Sequence, residues 1–265
     1  MGERTPRTSS VVAGLVRASL VTSMQYRLDF VLDTASGFLR TLAALGPIAL
    51  LLGVRDDVLG WSRIDILAVM GLYLVLHAAL AALIEPNLGE IVESIRTGKL
   101  DFLLLKPADA QLMASIRKVH LAPLVDVPVG GALLGYAIWQ SPPGSPLDLV
   151  VAAVLALSGA AAIYGLWLLA ICTSFFFVKV DNLRYLLWAA VDAGRWPLPV
   201  FARWVQWALI VLVPIGIVTT FPVQALRGEW TAGTVIVGVL VGIGFVLGSR
   251  LAWKAALGKY TSASS

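Results

Sequence analysis

From Leu149 to Val178 the chain carries no charged side chain. As a helix rising about 1.5 Å per residue, that run is about 45 Å long, more than the roughly 30 Å hydrocarbon core of a bilayer. A helix apolar on every side over such a length has no place in a small soluble domain. Stretches at 34–53, 64–85, 119–139 and 231–253 have the same character, and the charges collect between them. A span needs about 20 mostly apolar residues, so each qualifies. The composition agrees: 58% of the residues are hydrophobic and 14% charged, against about 45–50% and about 25% in ordinary soluble domains. The expected fold class is therefore all-α, a polytopic membrane protein forming one transmembrane domain over residues 1–265. Cys172, the one cysteine, lies inside an apolar run and reads as a small core hydrophobe.

Between the fourth of these spans and the last lies an apolar region at 183–226, broken by Pro197, Pro199, Pro214 and Pro222. Proline removes a backbone donor and disrupts the preceding turn, so one straight helix is not expected. Two arrangements fit. Either the remaining span is at 205–224, or a shorter one at 183–196 is followed by a re-entrant hairpin over 197–226. Both give six transmembrane helices. Arg96, Lys99, Lys106, Arg117, Lys118, Lys179, Arg184, Arg250, Lys254 and Lys259 then share a side with the amino terminus, while Arg55, Arg63 and Arg227 lie opposite, joined in the hairpin arrangement by Arg195 and Arg203. The excess of positive charge places both termini in the cytoplasm, with 1–27 and 254–265 as the terminal segments. Val12, Leu15, Val16, Leu20 and Met24 form an apolar arc opposite Arg17 and Gln25, which predicts an amphipathic N-terminal interfacial helix. Trp61, Trp139, Trp196, Trp204, Trp230 and Trp253 fall near span ends and read as belt anchors.

The longest cytoplasmic loop, 86–118, has its own helical pattern. Asn87 followed by Glu90 predicts a capping box, in which each side chain satisfies a backbone donor of the first turn. Leu88, Ile91, Val92 and Ile95 then recur on one face, Glu90, Glu93 and Arg96 lie elsewhere, and Gly98 suits the left-handed residue that closes a helix. Such an element is suited to lie on a partner protein or on lipid headgroups.

Polar residues inside the spans are few, and ionisable ones there are functional candidates by default. Asp29, Asp33, Ser36 and Arg40 share one face of the first span, with Arg40 about 10 Å beyond Asp33. His77 lies near the middle of the second span and Glu85 closes it. These residues fit a transport pathway or a contact between two chains, and equally an ion pair or interhelical hydrogen bond that only orients the helices. His120 starts the third span beside Arg117 and Lys118 and reads as interfacial.

There is no G-x-x-x-x-G-K-[ST] phosphate loop, since the fragment from Arg96 to Leu100 lacks the upstream glycine and the hydroxyl residue. No HExxH, GxSxG or paired-cysteine metal spacing occurs either, so no catalytic or metal-ligating residue is assigned. The positive charges are spread over several loops, which argues against a nucleic-acid partner.

Three runs carry a resemblance: IRTGKLDFLLLKP, SFFFVKVDNLRYLLWAAVDAGRWPLPVFARWVQWALIVLVPIGIVTTFPVQAL and WKAALGKYTSASS. Together they resemble ATP-binding-cassette exporter permeases of the second type, above all the bacterial subfamily encoded beside a daunorubicin-resistance-like ATPase. The resemblance implies a permease of the bacterial inner membrane that pairs with a second permease chain, identical or paralogous. It implies separate ATPase subunits holding ATP and Mg, with no cofactor bound by this chain itself. It also implies a coupling helix at about Asn87 to Lys106, adding Lys99, Leu100 and Asp101 to the ATPase-coupling set, and it favours the re-entrant arrangement. The main rival is a secondary transporter driven by an ion gradient through Asp33, Arg40, His77 or Glu85.

Overall fold

The computed structural model describes residues 27–54, 57–101, 105, 109–115, 118–175 and 181–259. The expected interfacial helix with Val12, Leu15, Val16, Leu20 and Met24 lies outside these residues, as do Lys106, Arg117 and the end of the tail. The first helix, α1, runs Arg27–Val54. A two-residue hairpin follows, β1 at Asp57–Val58 and β2 at Trp61–Ser62, turned by Leu59 and Gly60 at φ 52 and 80. Two successive positive φ angles are what the tight I′ hairpin turn requires, and glycine adopts them without strain. Ser62 then caps α2 (Arg63–Ala79) in a capping box with Asp65.

The second span and the loop helix differ from expectation. A π-helical turn at Leu80–Ile84 joins α2 directly to α3, Glu85–Arg96, and the whole of Arg63–Ile95 is one long apolar helix. No helix begins at Asn87, and no side chain caps α3. Continuity is possible because Pro86 falls in the first turn of α3, where its missing N–H need not break the ladder. The carbonyl of Ala82, four residues before Pro86, accepts the His120 N–H at 2.8 Å instead. Gly98 closes α3 at φ 72, with its N–H donating to Ile95 O, as its position suggests.

The remaining helices are α4 (Ala110–Ser115), α5 (Asp126–Gln140, entered through a 3-10 turn at Ala122–Val125), α6 (Pro146–Cys172) and α7 (Asp181–Ala193). They are followed by α8 (Arg203–Trp207), α9 (Ile215–Val218), α10 (Thr220–Leu226) and α11 (Ala232–Lys259). Ser145 and Asp148 form a second capping box at the start of α6, with Pro146 in its first turn. Among the described residues four helices are long and apolar enough to cross a membrane: Arg63–Ile95, Ala122–Gln140, Pro146–Phe175 and Ala232–Gly258. A fifth crossing exists if Arg203–Leu212 and Ile215–Leu226, bent by 78° to one another, make one span. The helix α1 is long enough but carries Asp29, Asp33 and Arg40, and it is not among the four.

Small residues set the helix crossings, as in other membrane bundles. A Cβ on Gly71 of α2 would lie 2.7 Å from Gly130 O of α5, and one on Gly130 equally close to Gly71 O. Gly165 of α6 meets the backbone of Phe245 in α11, and Ser158 Oγ donates to Gly238 O at 2.8 Å. Val218 of α9 packs on Gly159, thirteen residues or about 20 Å along α6 from Pro146. The core around them holds Val69, Met70, Leu74, Leu155, Ile163, Leu168, Ile215 and Ile217. Ile236, Leu240, Ile243, Leu247 and Leu251 leave an exposed apolar stripe along α11.

Polar contacts collect at the two ends of the bundle. At one end Arg227 lies 3.5 Å from Asp65 and over the Trp61 ring, and Trp230 Nε1 donates to Asp148 at 2.8 Å. At the other, Glu85 pairs with Arg184 at 2.8 Å, Glu90 with Lys118 at 3.1 Å, and Asp109 with Arg250. Gln111 joins Arg250, and Ser115 meets the Tyr164 hydroxyl. Trp139 and Trp204 are exposed, consistent with interfacial anchors, but Trp61 and Trp253 are buried in the core. Each of these two packs against the chain itself: Trp61 beneath Arg227, Trp253 edge-on to Phe175.

Candidate functional site

The helix α1 packs along one narrow face on α5 and the turn before it, and faces α2 and α7 across the space beside them. Gly37 and Thr41, one turn apart, are its buried contact positions there, and they place Asp33, Ser36 and Arg40 beside them at helical spacing. Between these elements lies a cleft of about 750 Å³, within the roughly 300–1,000 Å³ typical of small-molecule sites. Its lining brings together Asp33, Ser36, Arg40, His77 and Glu85, five of the six intramembrane polar residues singled out by sequence. Asp29 does not line it.

Deeper in the cleft the polar side chains form two hydrogen-bonded groups. The Thr41 hydroxyl lies 2.6 Å from Asp126 Oδ1, and His77 Nδ1 stands 4.0 Å from the other carboxylate oxygen. Tyr73 donates to Asp192 Oδ1 at 2.6 Å, Arg195 reaches the same oxygen at 3.1 Å, and its Nε donates to Asp192 O. Aromatic rings connect the two groups: His77 packs against Tyr73 and against Trp188, with centroids 5.6 and 4.9 Å apart. Arg195, placed on the outer side in the hairpin arrangement, lies over the Tyr73 ring, ten residues along α2. Burying these groups without partners would be costly, and the Thr41–Asp126 and Tyr73–Asp192 bonds each join two helices, so they also fix how the helices meet.

Toward the end shared with Arg184, His120 Nε2 faces Asp33 Oδ2 at 3.6 Å, and Glu85 is held by Arg184. His120, read as interfacial, also lines the cleft. Arg40 differs from the other charges lining the cleft: among the described residues it has neither a hydrogen bond nor an ion pair. One of its terminal nitrogens lies 3.8 Å from where a Cβ on Gly37 would stand. The side chain therefore folds back along α1 over the space that glycine leaves open.

Sequence reasoning did not single out Asp126, Asp192 or Tyr73. A signal existed for Asp126, a lone carboxylate within the apolar run 119–139, and for Asp192 and Arg195, spaced three apart in an aromatic segment.

The loop residues expected to couple to a partner divide into two sets. Asn87, Leu88, Ile91 and Leu100 are buried within the chain, while Val92 and Ile95 are partly buried against the same core. Asn87 is a pin, not a cap: its Nδ2 donates to Leu83 O and Lys118 O, and its Oδ1 accepts the Lys118 N–H at 2.6 Å. The apolar face read as a docking surface is thus already covered by the protein's own helices. What α3 and the following turn leave exposed is Gly89, Glu93, Thr97 and Lys99. Glu90 is tied to Lys118, Gly98 closes the helix, Asp101 O accepts from Leu105, and the Arg96 side chain lies outside the described residues.

Neither the comparison with curated proteins nor that with solved structures gives a match. The model of the family described as ABC-2 family transporter protein matches residues 38–264, which include every described helix after α1 and most of α1 itself. With its apolar helices and a polar cleft between them, the chain belongs to this family and is the membrane-spanning permease component of an ABC transporter, not its ATP-binding subunit.

Proposed function

We propose that two such chains, identical or paralogous, form the pathway of an exporter in the bacterial inner membrane, driven by separate ATPase subunits that bind ATP and Mg. The observation carrying this reading is the cleft: a polar cavity of about 750 Å³ between apolar helices, in a chain of a transporter family. A single chain encloses it incompletely, since α1 is exposed along most of its length, and a second copy beside α1 would complete the wall. Six crossings then comprise α1, the long α2–α3 helix, α5, α6, α7 with the turn after it, and α11. The segment α8–α10 serves as a re-entrant hairpin, a reading supported by Val218 packing deep on α6 at Gly159. The positive loops keep both termini and the 86–118 loop in the cytoplasm.

ATP-driven closure of the ATPase pair moves this loop and switches the cleft between two access states, which the substrate must bind unequally for hydrolysis to be coupled. The docking surface is the exposed face with Gly89, Glu93, Thr97 and Lys99, supported by their accessibility at the end of a rigid helix. The test is co-purification of the full chain with its cognate ATPase subunit. Reversing Glu93 and Lys99 to Arg and Glu should abolish co-purification and ATPase stimulation while leaving the permease folded. Unchanged co-purification would reject this surface.

A further inference from the structure

An ionised side chain about 10 Å inside a span is costly unless it is paired, reaches the interface or meets a ligand. The four carboxylates of the cleft are already engaged. Glu85 is bonded to Arg184 and Asp192 to Arg195 and Tyr73, while Asp33 faces His120. Asp126 accepts from Thr41 at 2.6 Å and is almost closed off, with 7% of its side chain exposed. Arg40 is the charge left over: it lines the cavity, is exposed to it, and has neither a hydrogen bond nor an ion pair among the described residues. Its guanidinium lies beside Gly37. Ala43, Ala44, Leu74, Ala81 and Trp188 supply apolar walls in the same cavity.

A guanidinium presents a planar fork of donors that matches a carboxylate or a phosphate with two parallel bonds. We infer that the cleft takes an amphiphile with a single anionic group, carboxylate or phosphate, paired with Arg40, its apolar chain lying against the Ala44, Leu74 and Trp188 wall. The inference rests on the transporter reading and gives it a substrate class. At Glu85, Asp126 and Asp192 a cationic ligand would have to displace donors already held. An anion displaces nothing at Arg40. The same chemistry serves a transported solute or the headgroup of an anionic lipid.

The test uses the full chain in phosphatidylcholine nanodiscs, with binding of dodecyl phosphate, dodecanoate and dodecyltrimethylammonium measured by native mass spectrometry. Both anions should bind and the cation should not. Arg40→Gln should weaken the anions at least tenfold, Arg40→Lys less, and Arg203→Gln, an exposed arginine outside the cavity, not at all. Repeating the measurement with phosphatidylglycerol in the disc separates the sources, because competition marks a lipid headgroup and its absence a solute, either of which supports the anion site. Tighter binding of the cation to the wild-type chain would overturn the proposal even if no variant folds, as would full anion binding by a folded Arg40→Gln chain. Neither result would touch the transporter reading, which fails instead if the complex with its ATPase shows no ATP-dependent transport of any probe.

Discussion

Gly71 and Gly130 hold α2 and α5 in backbone contact, and replacing one hydrogen there tests the packing directly. A Cβ on Gly71 would stand 2.7 Å from Gly130 O, 2.9 Å from Leu134 N and 3.1 Å from Leu134 Cβ. Two of these neighbours are backbone atoms that cannot rotate away. Restoring normal contact of about 3.4 Å or more needs the helices to part by roughly half an ångström, which opens gaps around Met70 and Leu74 in the fully packed core. Overpacking of this kind costs about 1–3 kcal/mol. Because alanine also favours a helix over glycine by about 1 kcal/mol, the proper reference is Gly131→Ala, one residue along, where nothing lies within 4 Å. The difference between the two variants isolates the clash. At about 2–4 °C per kcal/mol for a large domain, Gly71→Ala should melt about 2–12 °C below Gly131→Ala in the same detergent, followed by a thiol-reactive dye on buried Cys172. Equal melting temperatures would mean that α2 and α5 do not touch at this pair, and the wall of the cleft that they support would need to be rebuilt.

Ser145→Ala removes the hydroxyl that caps Asp148 N–H at the start of α6, and thermal melting should show a loss of about 1 kcal/mol; no loss would place that end of α6 elsewhere. Arg250 joins Asp109 and Gln111 to the last helix, so Arg250→Asp should speed proteolysis within the 86–118 loop. The double reversal Asp109→Arg with Arg250→Asp should restore part of the protection, because the pair is then re-formed with its charges exchanged. Equal cleavage of single and double variants would show that the pair does not hold the loop.

Individual residues show how far the amino-acid order reached. The runs 149–178 and 231–253 were legible as helices because in a bilayer only a continuous helical ladder, or a closed barrel, satisfies the backbone N–H and C=O groups of so long an apolar run, and α6 and α11 lie over them. Gly98 was legible as a helix end, since a positive φ is a local property of glycine. Asp33, Ser36 and Arg40 were legible as one face for the same reason, helical spacing being local.

Asn87 was misread because its local pattern with Glu90 is that of a cap, whereas its actual partners include the backbone of Lys118, 31 residues away. Periodicity showed that Leu88, Ile91, Val92 and Ile95 form a buried face. It could not say that the burial is against this chain's own helices and not a partner's. Tyr73 and Asp192 lie 119 residues apart, and Thr41 and Asp126 lie 85 apart; spacing along a chain carries no information about such pairs. The sequence by itself determined which segments are helical and apolar, because those depend on neighbours within a few turns. Only the tertiary structure decided which polar groups meet in the cleft and which charge lining it, Arg40, is left without a hydrogen bond or ion pair among the described residues, because that depends on how separate helices are brought together.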